Sequence, residues 1–352
     1  MIKYLGSKRK LVPTISAIVA ALPDIRIAAD LFTGTTRVAQ ALKAGGAHVI
    51  ANDIATYAAV FARAYIEVDA AAVDQHRIQQ HLDTLMELPG TPGYVTRIFS
   101  EHARYFQPHN AQRIDAIRAA IDTLASDANE QAILLTSLIE AADRVDSTAG
   151  VQMAYLKQWA QRSNNQLELR LPHLIAGTGR ALQSDAVTLA GTLEDVDLTY
   201  LDPPYNQHSY LGNYHVWETI ARGDQPEHYG VAAKRIDTRS RRSDFNSARR
   251  AHHAFTDLIA NLRSRWILVS FNNEGFLERD AIISALQDVR DHVVVLPVAK
   301  YPRYVGARIG IHNHRGDKVG EPGHLTNTEY LFLAGPDLEA AQAAIDAAQH
   351  IS

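Results

Sequence analysis

Several classes of protein are excluded by what this chain of 352 residues lacks. It contains no cysteine, which excludes disulfides, thiolate metal sites and cysteine nucleophiles and fits a reducing compartment. No apolar run reaches the roughly 18 residues of a membrane span, and no apolar stretch of signal length follows the basic start MIKYLGSKRKLV. Because 46% of the residues are hydrophobic, a large core is possible, and we expect a globular, soluble, cytoplasmic protein with no membrane partner.

The net charge of the chain is small, but the charged residues are unevenly distributed along it. The net charge is only −4, which neither demands nor forbids an anionic partner. Residues 234–250, KRIDTRSRRSDFNSARR, carry seven basic residues against two acids, and residues 300–318 mix Arg and Lys with Tyr and His. Basic residues interleaved with flat side chains suit phosphate contact and base stacking, although a solvated loop explains either run equally well.

The hydrophobic periodicity predicts an α/β protein. KLVPTISAIVAAL has the spacing of an amphipathic helix, and RIAADLF, TGTTR, a helix from Arg37 to about Ala44 and AHVIAND form a βαβ unit. The pattern predicts a helical insert at residues 58–175, which we expect to be the target-recognition region, within a catalytic domain of residues 1–57 and 176–352. Strand patterns return at DLTYLDPPY, RWILVSFNN, VVVLPVAK and EYLFLAG, alternating with helical patterns. This alternation predicts a doubly wound, mostly parallel, Rossmann-like sheet.

The turn of the βαβ unit carries the first chemical signal. Gly34 in DLFTGTTRV allows close backbone approach to a ligand, and Asp53 ends the second strand at the spacing typical of a ribose-binding acid. Asp30 at the end of the first strand would repel a phosphate but suits a cationic ammonium group. These features favour S-adenosylmethionine, which has an ammonium group, a ribose diol and no phosphate, over a dinucleotide. Two aspartates that merely cap helices are the alternative.

The segment Asp202–Tyr205, DPPY, follows a predicted central strand and therefore faces the same crevice. Two prolines stiffen the backbone and lack amide hydrogens, so their carbonyls can serve as acceptors beside the Asp202 carboxylate. Such a pair would bind both hydrogens of an NH₂ group, while Tyr205 stacks on the flat ring that bears it. In duplex DNA that ring would have to be flipped out of the stack.

In the order of these motifs, the chain resembles the Dam-like alpha-group adenine-N6 DNA methyltransferases along nearly its whole length. KYLGSK, DLFTGTTRV, ANDI, QSDAV and DPPY stand in the family's motif order, whereas many members have a second glycine where this chain has Thr36. The resemblance implies contacts with S-adenosylmethionine from Tyr4, Gly6, Ser7, Lys8, Asp30, Phe32, Gly34, Asp53, Ser184 and Asp185. It implies catalytic roles for Asp202, Pro203, Pro204 and Tyr205, with no metal.

SDFNSARRAHHAF and SFNNEGF are similar to stretches in members that modify DNA alongside restriction enzymes. The resemblance therefore implies double-stranded DNA as partner and a cognate restriction endonuclease that acts separately. The basic segments predict DNA contacts at Arg239, Arg241, Arg242, Asn246, Arg249, Tyr301, Arg303 and Tyr304.

Other substrates and roles stay open at this point. RNA and protein amino methyltransferases share a related Asn-Pro-Pro-Tyr motif but typically lack the leading KYLGSKRK element, and cytosine-N4 enzymes more often have Ser in place of Asp202. A DNA-binding regulator without turnover would be expected to have lost DPPY or DLFTG. His252 and His253 occupy adjacent helical positions and cannot both face one metal ion, and the three tryptophans are expected in the core or at an interface.

Overall fold

The computed structural model describes residues 2–4, 6–207, 209–273, 275–302, 311–312, 318–320 and 326–349. The strands are β1 (Ile27–Asp30), β2 (His48–Asn52), β3 (Gly179–Leu182), β4 (Leu198–Leu201), β5 (His228–Tyr229), β6 (Lys234–Arg235), β7 (Trp266–Asn272), β8 (His292–Pro302), β9 (Ile311–His312), β10 (Lys318–Gly320) and β11 (Thr326–Gly335). The helices are α1 (Val12–Ala21), α2 (Arg37–Ala44), α3 (Thr56–Ala62), α4 (Gln75–Glu87), α5 (Tyr94–Thr96), α6 (Pro108–Leu124), α7 (Ala128–Val145), α8 (Ala186–Ala190), α9 (Tyr210–Asn213), α10 (His215–Arg222), α11 (Ala251–Asn261), α12 (Arg279–Gln287) and α13 (Leu338–Gln349).

The centre of the fold is a seven-stranded sheet with the order β3-β2-β1-β4-β7-β11-β8. The first five strands are parallel, and β11 runs antiparallel between β7 and β8. The predicted doubly wound, mostly parallel, Rossmann-like sheet is thus confirmed. Ala28 of β1 pairs with Val49 of β2 on one side and with Leu198 of β4 on the other, so the strand order reverses at β1. Such a switch point opens a crevice beyond the carboxyl ends of the strands.

Small and branched residues explain why these strands fit between two helical layers. Ala28 and Ala29 of β1 are fully buried because helices cover both faces of a parallel sheet. Helix α1 tolerates Pro13 in its first turn and buries Ile15 and Ile18 against the sheet. The predicted helix from Arg37 to about Ala44 is confirmed as α2.

The helical insert shares its hydrophobic core with one face of the sheet. Phe61, Phe99 and Leu134 from the insert belong to the same buried cluster as Leu198 and Leu268 from the strands. A second cluster covers the opposite face, where α8, α11 and α12 pack. Within the described ranges no helix is long and apolar enough to cross a membrane. The division of the chain into a catalytic domain and an insert stays a prediction.

Candidate active site

A cavity lies at the switch point, beyond the carboxyl ends of β1, β2 and β4. Its empty volume is about 960 Å³ including open solvent at its mouth, which is within the range of small-molecule sites. All the residues predicted to contact S-adenosylmethionine line it: Tyr4, Gly6, Ser7, Lys8, Asp30, Phe32, Gly34, Asp53, Ser184 and Asp185. Asp202 and Pro204 also line it, so the DPPY segment and the predicted cofactor loop face one cavity.

The loop after β1 is fixed by hydrogen bonds to β2. The Thr33 amide donates to the Asn52 carbonyl at 2.9 Å, and the Gly34 amide donates to Asp53 Oδ2 at 2.9 Å. Gly34 has a left-handed backbone with φ of 50°, and an added Cβ would lie 3.1 Å from the Tyr4 hydroxyl. Both the backbone conformation and the close approach of Tyr4 therefore favour glycine here.

Thr36 occupies the position at which many members of the family that the motifs resemble have a second glycine. It adopts a left-handed conformation with φ of 61°, which is strained for a β-branched residue. The fully buried Thr36 hydroxyl donates to the Thr35 carbonyl at 2.7 Å and accepts from Gln40 Nε2 at 2.7 Å. These two hydrogen bonds hold the loop in a shape that glycine would adopt without strain.

Asp53 is held in place at the end of β2 by backbone donors. Its Oδ1 accepts from the Ala55 amide at 2.9 Å while Oδ2 accepts from Gly34. Burial raises the pKa of Asp53 to about 6, and the negative charge of Glu218 adds to this effect. Keeping the Asp53 carboxylate ionised therefore costs free energy.

Asn52 was not singled out from the sequence, although it connects three parts of the site. Its side-chain amide donates to the carbonyls of Leu31 and Ser184, both at 3.1 Å, and its Oδ1 accepts from the Ser184 amide at 3.0 Å. Asn52 thereby fixes the loops after β1 and β3 to the end of β2. Asp185 caps α8 by accepting from the Thr188 amide at 3.1 Å.

Asp202 lies immediately after β4 in a cluster of charges. Lys8 Nζ is 3.1 Å from Asp202 Oδ1 and 3.4 Å from Glu329 Oε1, and its side chain is only 6% exposed. Burial raises the pKa of Asp202 to about 6, with a further contribution from Glu329, whereas Lys8 lowers it. Lys8 was predicted as a cofactor contact, and the structure places its ammonium group between two carboxylates at the edge of the cavity.

Of the remaining DPPY residues, Pro204 is the one that lines the cavity. Pro203 is buried, and its carbonyl accepts no hydrogen bond from the residues that the structure describes. The Tyr205 ring meets Phe271 edge-on, with centroids 5.5 Å apart, and the Phe276 amide donates to the Tyr205 carbonyl at 2.8 Å. The contacts with Phe271 and Phe276 thus hold Tyr205 in place.

Residues 4–272 match the model of the D12 class N6 adenine-specific DNA methyltransferases, which is more than half of the chain. The chain belongs to this family. The resemblance drawn from the motifs is confirmed by this match.

Three curated relatives of this D12 family chain show how far the similarity extends. It is 32% identical over 320 residues to the modification methylase StsI of Streptococcus sanguinis, covering 86% of this chain and 48% of that protein. It is 29% identical over 336 residues to the type II methyltransferase M.NlaIII of Neisseria lactamica, covering 92% and 98%. It is 31% identical over 307 residues to M.FokI of Planomicrobium okeanokoites, covering 81% and 46%. The chain therefore spans about half the length of StsI and M.FokI and nearly all of M.NlaIII.

The predicted DNA contacts of this D12 family chain differ in their surroundings. Arg239, Arg242 and Arg249 are exposed; Arg239 stacks on the Tyr229 ring at 3.9 Å, and the other two form no ion pair with any described residue. Arg303 and Tyr304 lie outside the described residues, and Tyr301 is described only by its backbone in β8.

Arg241 and Asn246 turn toward the cavity, and their role as DNA contacts stays a prediction. Both line the cavity, and Asn246 Nδ2 donates to the Asn206 carbonyl beside DPPY at 2.8 Å. Arg241 forms an ion pair with the fully buried Glu218 at 2.8 Å and donates to the Ile54 carbonyl at 3.1 Å. The sequence showed a basic block but not which side chains turn inward.

The structure describes the adjacent histidines of α11 and all three tryptophans. His252 and His253 are exposed on α11, and among the described residues no three His, Asp or Glu side chains could hold a metal ion. Trp217 and Trp266 are buried in the core, as predicted. Trp159 is half-buried and stacks with the Arg104 guanidinium at 4.9 Å.

Proposed function

We propose that the chain transfers the methyl group of S-adenosylmethionine to the N6 amino group of an adenine flipped out of double-stranded DNA. The observation that carries the proposal is that Asp202 and Pro204 of DPPY line the same cavity as the loops after β1 and β2 at the switch point. A methyl donor and an acceptor amine bound there would be adjacent, which is the main requirement of a direct transfer. Membership of the D12 family supports the same reaction.

The residues at the β1 and β2 end of the cavity fit S-adenosylmethionine. Asp30 is 1% exposed, and its Oδ1 is buried without a hydrogen-bond partner among the described residues. Burial raises the pKa of Asp30 to about 7. A cationic ammonium group is the ligand that would compensate this carboxylate. When bound, S-adenosylmethionine supplies an electrophilic methyl group.

The other predicted cofactor residues extend this assignment along the cavity. Asp53 at the end of β2 would accept hydrogen bonds from ribose hydroxyls. Ser184 and Asp185, after β3, would lie against the adenine of the cofactor, because β3 is the strand beyond β2. Tyr4, Gly6, Ser7, Lys8, Phe32 and Gly34 would enclose the methionine part.

The DPPY end of the cavity would hold the target amine. The Asp202 carboxylate and the free Pro203 carbonyl would each accept one N6 hydrogen, which directs the nitrogen lone pair toward the methyl group. Pro204 would stiffen this turn, and Tyr205 would stack on the adenine ring. The nitrogen would attack the sulfonium methyl group in line, the bond from that methyl group to sulfur would break to release S-adenosylhomocysteine, and the methylated nitrogen would then lose its proton to solvent, with no covalent enzyme intermediate.

Duplex DNA is proposed as the substrate that presents this adenine. The exposed Arg239, Arg242 and Arg249 would contact phosphates, and Tyr301, Arg303 and Tyr304 stay proposed contacts. The base would have to leave the stack to reach the cavity. The names of the relatives, type II methyltransferases and a modification methylase, support a separate cognate restriction endonuclease as partner.

The deciding experiment is mass spectrometry of nucleosides from unmethylated DNA after incubation with the protein and S-adenosylmethionine. We expect N6-methyldeoxyadenosine as the methylated product. Methylation of RNA or of protein amines, with no DNA base modified across varied DNA, would contradict the proposal and point to another amine as substrate.

Arg241 lines the cavity and its neighbour Arg242 is exposed, so substitutions at these two positions can be compared directly. For Arg241→Ala we expect about tenfold weaker binding of S-adenosylmethionine, the effect of losing a hydrogen bond to a charged group. The reason is that buried Glu218, which also accepts from Thr56 Oγ1 at 2.8 Å and the Tyr57 amide at 3.2 Å, would lose its cation next to Asp53. Isothermal titration calorimetry measures the affinity.

Arg242→Ala is the control, because it removes the same charge from a neighbouring residue that points to solvent. It should leave cofactor affinity unchanged and reduce the salt slope of DNA binding by about one unit, the effect of losing one phosphate contact. If Arg241→Ala instead changes only the DNA salt slope, Arg241 is a DNA contact and not part of the cofactor wall.

A further inference from the structure

Glu329 reaches the DPPY site from the antiparallel strand β11, outside the residues that match the family model. Both of its carboxylate oxygens lie 3.4 Å from Lys8 Nζ, which lies 3.1 Å from Asp202 Oδ1. The side chains of Glu329, Lys8 and Asp202 are 14%, 6% and 17% exposed. Solvent therefore screens this triad weakly.

We propose that Glu329 is a positioning residue for methyl transfer, which holds the Lys8 ammonium group between two carboxylates and keeps Asp202 available to the target amine. The inference rests on the proposed function, because that function gives Asp202 its task. An ammonium group has three hydrogens to donate. If Glu329 did not attract it, Lys8 would bind Asp202 alone and compete with the amine for the same carboxylate.

The charges around Asp202 determine the direction in which its pKa should change when Glu329 is substituted. Among the residues that the structure describes, the charged or titratable groups that face Asp202 are Lys8, Glu329, Asp30, Tyr200, Tyr205 and Tyr210. Glu329 raises the pKa of Asp202 and Lys8 lowers it. Removing the charge of Glu329 should therefore lower this pKa. If the ionised carboxylate is the active form, the acid limb of the pH–rate profile must move to lower pH.

The test compares the pH dependence of single-turnover methyl transfer in the wild-type protein and in Glu329→Gln. Because both carboxylates touch the same nitrogen, they lie no more than about 6.5 Å apart. At this separation we expect the acid limb, near pH 6 in the wild type, to move down by about one unit. The plateau rate should fall about fivefold, since Asp202 becomes a weaker acceptor. Glu278→Gln is the matched control, because exposed Glu278 carries the same charge without facing Lys8.

A second variant distinguishes the effect of the Glu329 charge from the effect of its side-chain length. Glu329→Asp keeps the charge but shortens the side chain, so its acid limb should stay close to that of the wild type while the plateau rate falls. Thermal melting and cofactor titration check that each variant is folded. A folded Glu329→Gln protein with the pH profile of the wild type would overturn the proposal, as would an equal shift in Glu278→Gln.

A direct titration keeps this inference separate from the proposed function. Carbon-13 NMR of the Asp202 carboxyl group, assigned with Asp202→Asn, follows its ionisation without any turnover. A lower titration midpoint in Glu329→Gln supports the coupling even if no DNA base is methylated, in which case only the proposed function has failed. An unchanged midpoint contradicts the coupling whatever the activity.

Discussion

Asp202→Asn is expected to reduce the rate of methyl transfer about a thousandfold, the upper range for losing one preorganised polar contact at a reacting centre. Lys8 Nζ lies 3.1 Å from Asp202 Oδ1 and would bind the one acceptor oxygen that asparagine retains, so the amide NH₂ would face the target amine where an acceptor is needed. The substitution also removes the negative charge that favours positive charge developing on the nitrogen. Binding of S-adenosylmethionine should change less than about threefold, because the proposed cofactor carboxylates are Asp30 and Asp53. Single-turnover transfer of a labelled methyl group measures the rate, and calorimetry measures the affinity.

Asp53→Asn provides the reciprocal control for this prediction. It keeps the shape of a residue that the structure places at the end of β2, away from the DPPY turn. We expect cofactor affinity to fall while the single-turnover rate at saturating cofactor stays close to that of the wild type. If Asp202→Asn and Asp53→Asn lose cofactor affinity to the same extent, then Asp202 belongs to the cofactor site and the division of the cavity into two ends is wrong.

The central sheet was predictable because its strands are short apolar runs that end in polar residues. The predicted strands became β1, β2, β4, β7, β8 and β11, and the helix after Gly34 has the predicted bounds. Strand β3 was missed because GRAL is a partly exposed edge strand with too few apolar residues to show a period. The hairpin of β5 and β6 was missed because each strand has only two residues, one of them in the basic block.

The candidate site was predictable where a residue follows a strand directly, because topology alone then brings it to the crevice. Asp30, Asp53 and Asp202 lie at such positions. Glu218 and Glu329 were missed because their partners, Thr56 and Lys8, are distant along the chain. A signal for Glu218 was present, since it is a charged residue within the apolar run HVWETIA and had to be paired if that helix was buried.

The structure also links the stability of the fold to the proposed cofactor site through stacked aromatic rings. Trp217, 1% exposed, stacks on Tyr214 with centroids 4.5 Å apart, and Tyr214 stacks on Tyr4 at the same distance. Tyr57 and Phe61 meet the Trp217 ring edge-on at 5.7 and 6.4 Å. We define these five residues as the aromatic column. It joins helices α3 and α10 to the amino-terminal segment that carries Tyr4.

Trp217→Ala is expected to lower the free energy of unfolding by about 3–5 kcal/mol, the usual cost of truncating a buried tryptophan. Urea unfolding should show a lower midpoint with an unchanged slope, because the same surface is still exposed on unfolding. Trp217→Phe keeps one ring in the column and should cost roughly 1–3 kcal/mol, within the range for imperfect repacking of a core. Since Tyr4 loses its support, cofactor affinity should fall in the alanine variant as well.

Trp159→Ala is the matched control, because it removes the same side chain from a half-buried site where the ring stacks with Arg104 outside the aromatic column. We expect that change to cost about 1 kcal/mol or less. Equal destabilisation by Trp159→Ala and Trp217→Ala would contradict a special role for the aromatic column. A large loss of stability in Trp217→Ala with unchanged cofactor affinity would show that Tyr4 keeps its position without the column, so that the core and the cavity are supported independently.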